Sequence, residues 1–171
     1  MKIDLKKELK HLYNAPRKVV EVDVPAMNFL MVAGYGDPNT SREYVEAIQA
    51  LYTVSYTLKF MVKQAVQAVD YAVMPLEGLW WVDDMSQFSQ DDKDAWQWTA
   101  MIMQPEFVTQ ELFHEAVEQV KKRITWRRCL NSGLQLFVKG LRPRLCTWGR
   151  IRRKGRTLSY CTITFRTAGR S

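Results

Sequence analysis

The sequence predicts an α+β fold, an antiparallel sheet with helices packed on one of its faces. Three observations carry that reading. Thr40-Ser41-Arg42-Glu43 reads as a capping box, and it opens the longest helical pattern in the chain. Two aromatic runs, Tyr71–Val82 and Asp94–Met103, flank a connection rich in Asp, Ser and Gln, the pattern of two antiparallel strands joined by a solvated turn. The order strand, long helix, strand, strand, helix segregates the two kinds of element instead of alternating them.

Taken in order, residues 1–18 form an N-terminal arm, with Leu5, Leu9 and Leu12 at helical spacing among lysines. Lys18–Gly34 reads as a strand region. Val20, Val22 and Val24 alternate with Glu21 and Asp23, and Pro25 interrupts before Met27–Ala33, as an edge strand or a bulge allows. Gly34-Tyr35-Gly36 is a turn and not a dinucleotide fingerprint, because the third glycine is missing. The long helix places Tyr44, Ile48, Leu51, Ser55, Leu58, Val62 and Ala65 on one stripe, with Tyr52 and Tyr56 on the next. After the aromatic hairpin, Thr109 caps a second helix whose inner face carries Leu112, Phe113, Ala116, Val117 and Val120.

The charge distribution breaks abruptly. Met1–Arg123 holds 13 Lys/Arg against 18 Asp/Glu, whereas Ile124–Ser171 holds 12 Lys/Arg and no acid. All three cysteines, Cys129, Cys146 and Cys161, fall in the second part, and their isolation argues against a disulfide framework. The chain therefore divides at 19–123 and 124–171, the latter a basic tail. No apolar run reaches membrane length and the N-terminus lacks a signal-peptide core, so the expected location is cytoplasmic, with no membrane partner.

The candidate site lies in the aromatic hairpin, which holds four of the six tryptophans: Trp80, Trp81, Trp96 and Trp98. Alternation puts Trp96, Trp98, Ala100 and Ile102 on one face, and Gln97, Thr99, Met101 and Met103 on the other. Glu77 lies inside the first run, where a charge is costly unless paired or functional. Two readings stand. Either this is a packed sheet with Glu77 at a bulge beside Gly78, or it is a pocket wall for a flat apolar or cationic ligand. No metal cluster, phosphate loop or nucleophile elbow appears, and no cofactor is called for. His114, beside Glu115 and Glu118, reads as a surface residue.

Residues Val19–Arg123 resemble the GyrI-like small-molecule-binding family. The strings that carry it are Val-Asp-Val-Pro-Ala-Met-Asn-Phe-Leu at 22–30, Gly-Asp-Pro-Asn-Thr-Ser at 36–41 and Tyr-Thr-Leu-Lys-Phe at 56–60. Met-Pro-Leu-Glu-Gly-Leu-Trp-Trp at 74–81 and Met-Gln-Pro-Glu-Phe-Val-Thr at 103–109 complete it. The resemblance implies a strand–helix–strand–strand half-module of a duplicated fold with a ligand groove between its halves. It also implies a small organic ligand as partner, and in some members hydrolysis of cyclopropane-bearing alkylating compounds. On this chain the resemblance points to Glu77 and Tyr56 as catalytic candidates. The ligand-binding candidates are Trp80, Trp81, Trp96, Trp98, Met101 and Tyr52.

The chain departs from the family after Arg123. Trp-Gly-Arg-Ile-Arg-Arg-Lys-Gly at 148–155 is a string that a family segment, Met-Gly-Pro-Tyr-Ser-Glu-Glu-Gly, can spell when its codons are read one base later. The resemblance therefore implies that 124–171 is out of frame and poorly packed, leaving a sheet edge open to self-association. A basic tail with Trp126 and Trp148 gripping nucleic acid is the remaining reading, and it ranks below a small-molecule ligand.

Overall fold

The computed structural model describes residues 2–13, 25–65, 68–84, 86, 88–89, 92–123, 135–137, 146–153 and 156–163. Its centre is an antiparallel sheet of β2 (Asn28–Tyr35), β4 (Leu76–Trp81) and β5 (Gln97–Gln104), with β5 in the middle. The outer edge of β2 carries a fourth strand, β6 (Gln135–Phe137), so the edge expected to stand open is covered along Phe29–Met31. The strand expected at Val20–Val24 lies outside the described residues. Much of 124–171 does as well. Within it, β7 (Cys146–Arg153) and β8 (Arg156–Ile163) form an antiparallel ribbon, and β8 runs beside β4.

Helix α3 (Arg42–Gln64) crosses one face of the sheet. Its N-cap is Ser41, one residue beyond the expected start, and the Ser41 hydroxyl accepts from the Tyr44 amide. Replacing Ser41 by Ala should cost about 1 kcal/mol of stability in chemical denaturation, because that amide loses its acceptor. Ala47, Ala50, Leu51, Val54, Leu58 and Val62 are buried on α3; the expected stripe holds at Leu51, Ser55, Leu58 and Val62, whereas Tyr44 and Ile48 are half-buried and Ala65, the C-cap, is exposed. Ser55 is buried within that stripe and accepts a hydrogen bond from Gln104 Nε2 of β5, which ties helix to sheet. The second helix, α4 (Gln110–Arg123), packs beside α3 and buries Phe113, Ala116, Val117 and Val120; the Thr109 hydroxyl accepts from Leu112 N at its start.

The register is strict. Leu76–Trp81 opposes Gln97–Ile102 without interruption. Glu77 therefore does not sit at a bulge, and the alternation runs unbroken through Gly78. The first aromatic run is shorter as a strand than the sequence suggested. Asp70–Tyr71 forms a separate two-residue strand, β3, that pairs in parallel with β1 (Lys2–Ile3). Lys59 and Lys63 of α3 both reach Asp70, and the hydrogen bond from Lys63, with the charges of both lysines behind it, holds its carboxyl below the usual range. Through β1 the N-terminal arm, with the short helices α1 (Leu5–Glu8) and α2 (Lys10–Tyr13), is tied to the domain.

Candidate functional site

A strict register sorts the candidate residues by parity. On β5, Trp98, Ala100, Ile102 and Gln104 face the helices: Tyr44 of α3 meets Trp98 edge-on at 4.9 Å, and Gln104 bonds Ser55. Trp80 is opposite Trp98 in the ladder and shares that face. Both rings lie over glycines. A Cβ at Gly34 would overlap the Trp98 ring and one at Gly78 would overlap the Trp80 ring, so each glycine leaves the gap that its tryptophan fills. Trp98 is wholly buried there.

The other face gathers Glu77, Leu79 and Trp81 of β4 opposite Met101, Thr99 and Gln97 of β5, with Met31, Ala33 and Tyr35 beyond them on β2. The structure thus sets Met101 directly opposite Glu77, places Trp81 farther along the same face, and separates all three from Trp80 and Trp98. Trp96 precedes β5. Its ring stacks on Phe88 at 4.9 Å and its Nε1–H donates to the Ser89 carbonyl, so it belongs to the connecting loop. Tyr52 and Tyr56 stack on each other at 6.4 Å along α3, and Tyr56 is 48 % exposed. They lie on the helix side of the sheet, away from Glu77.

The chemistry converges on Glu77. Its Oε1 accepts a hydrogen bond of 2.7 Å from the hydroxyl of Tyr13, 64 residues earlier in the chain. The residue as a whole keeps some exposure, but burial dominates the proton equilibrium of its carboxyl and pushes it up to about 7. The Tyr13 hydrogen bond pulls in the opposite direction and is the weaker influence. Burial, and then the Glu77 charge, raise the Tyr13 phenol above its usual range, so it remains a donor at neutral pH. A carboxyl that is half protonated near neutrality can give or take a proton at physiological pH, the property asked of a general acid–base group.

Tyr13 is the member that sequence reasoning missed. The stripe read from the arm was Leu5, Leu9 and Leu12, but Tyr13 also follows Leu9 by four, a spacing that places it beside the same face. Nothing in the spacing gave its destination. No group of three or more His, Cys, Asp or Glu among the described residues is placed to hold a metal ion.

No protein-family model and no curated protein match this chain. Solved structures do. An uncharacterized conserved protein from Listeria innocua superposes with a TM-score of 0.74 at 38% identity, over 87% of this chain and 71% of that one. A protein of the same organism described as a hydrolase encoded by lin2189 gives 0.71 at 37% identity, over 88% and 72%. A further Listeria innocua hydrolase gives 0.70 at 36% identity, over 90% and 75%. The chain belongs to the family of these Listeria proteins. Two of these three structures are described as hydrolases. No helix among the described residues of this family member is long and apolar enough to cross a membrane.

Proposed function

We propose that the protein is a GyrI-like small-molecule-binding protein that acts as a hydrolase on strained, electrophilic ligands, with Glu77 as its acid–base group. One observation carries the reading. The Glu77 carboxyl sits on the sheet face away from α3 and α4, accepts from Tyr13, and is raised by burial to about 7. Met101, directly opposite Glu77, supplies soft apolar contact, and Trp81 lies on the same face farther along β4, a combination that suits an unsaturated ring system. The solved relatives described as hydrolases support the reaction class. The family resemblance supplies the substrate class, a cyclopropane conjugated to a carbonyl.

The step balances without an added cofactor. Water bonds through oxygen to a ring carbon as the adjacent C–C bond breaks. The released electron pair moves through the conjugated system onto the carbonyl oxygen, which takes the proton of Glu77. The proton that water loses then restores the carboxyl. Aromatic walls that exclude bulk water would keep the carboxyl protonated between turnovers.

The test is turnover of a carbonyl-conjugated cyclopropane, followed by absorbance, with product mass showing one water added. Glu77→Gln should lower kcat by about 100-fold or more, the span that general acid–base groups supply. Full activity in the folded variant rejects Glu77 as the acid. A second reading is binding without turnover. It would show as tryptophan quenching that saturates at one ligand per chain while the ligand stays intact.

A further inference from the structure

We infer that Tyr13 is a positioning residue for Glu77: its phenol holds Oε1, so that the carboxyl proton, and the lone pair left when the proton departs, are confined to Oε2. The inference rests on the acid role proposed above for Glu77 and adds a residue from a part of the chain that lies far away in sequence. A protonated carboxyl has one oxygen that donates and one that only accepts. Tyr13 donates to Oε1, which makes Oε1 the accepting oxygen and leaves the donor on Oε2.

The arm is built to keep that phenol in place. Leu12, the residue before Tyr13, is buried, and Leu5, Leu9 and Tyr13 itself pack against the main core. At its other end the arm is fixed through β1 to β3, whose Asp70 is held by Lys59 and Lys63. The segment 2–13 is therefore fastened at both ends, with Tyr13 at the end that reaches Glu77. When Glu77 gives up its proton, a carboxylate is left among Leu79, Thr99 and Met101, none of which titrates. A donor already directed at that carboxylate stabilises it at the moment it forms, without reorganisation. Titratable residues on the described elements around that face include Tyr35 of β2 and Lys10 and His11 of α2, all exposed, and the β8 sequence carries Arg156, Tyr160 and Cys161.

The experiment compares the full-length protein with its Tyr13→Phe variant, which removes one hydroxyl and keeps the ring. The Glu77 carboxyl carbon is followed by carbon NMR in glutamate-labelled protein across pH, its signal assigned by its loss in Glu77→Gln. The midpoint should rise by about one unit in Tyr13→Phe, because the donor that favours the anion is gone. With the carbonyl-conjugated cyclopropane, kcat should fall about 10-fold, KM should stay within about twofold, and the alkaline limb of the pH profile should move up with the midpoint. An unmoved midpoint and an unmoved pH profile overturn the inference. A fall in affinity alone overturns it too, since it would assign Tyr13 to the ligand. Should Glu77→Gln retain turnover, the acid reading fails while the NMR midpoint still decides whether Tyr13 sets the proton affinity of Glu77.

Discussion

Glu77→Gln should make the protein more stable above pH 7, by up to about 3 kcal/mol, while leaving it nearly unchanged at pH 4.5. Folding raises the Glu77 carboxyl from its ordinary value to about 7, so the folded state binds a proton that the unfolded chain has released. Stability from this group is fully present below the unfolded value. It is lost progressively as pH rises through the interval up to about 7, and above that the cost is constant. Glutamine never ionises, yet its side-chain oxygen can still accept from Tyr13. Urea unfolding of both proteins at pH 4.5 and pH 8 isolates the effect, because every other titrating group cancels between them. Equal pH dependence in the two proteins would mean that the carboxyl is solvated in the folded state. A gain in stability together with a loss of turnover is what a group kept for chemistry at a cost to folding should give.

Trp98→Ala should cost about 4 kcal/mol, the largest loss expected from a single truncation in this chain. The ring is wholly buried between Tyr44 of α3 and the backbone of Gly34, and it leaves a cavity under a helix that cannot collapse into it. Gly34→Ala should cost about 3 kcal/mol for the opposite reason, since the new methyl group would occupy the space of that ring. The two effects are coupled. In a Trp98→Ala background, Gly34→Ala should cost less than about 1 kcal/mol, because nothing remains for its methyl group to meet. Additive losses in a double-mutant cycle would show that the ring and the glycine do not share a site.

Much of the fold could be read from the chain, because its signals are local. Ser41 and the stripe from Leu51 to Val62 define a helix by period and cap, and Gln97–Gln104 declares its two faces by alternation. That alternation correctly grouped Trp98 with Ala100 and Ile102, and Met101 with Thr99. It could not tell which face the helices would cover, since both carry large apolar side chains. Trp80 and Trp98 therefore read as partners of Glu77 in the sequence and lie across the sheet from it in the structure. Trp96 looked like a strand residue because its apolar character continues the run, but the ladder starts one residue later. The Tyr13–Glu77 contact was beyond reach for a different reason. It joins segments 64 residues apart, and no local propensity encodes such a pairing.

The position of β5 between β2 and β4 also sets an order in which the chain can fold. β4 and β5 are near neighbours in sequence and can close a hairpin early, whereas the β2–β5 ladder pairs Asn28 with Gln104 around all of α3. The entropy of closing so large a loop must be met before any of those hydrogen bonds form. On a ribosome adding roughly 5–20 residues per second, Leu30 and Val32 would wait several seconds for their strand partner to be synthesised. During that interval α3 is the surface that can cover them, which makes the long helix a nursery for that strand as well as a wall of the finished core.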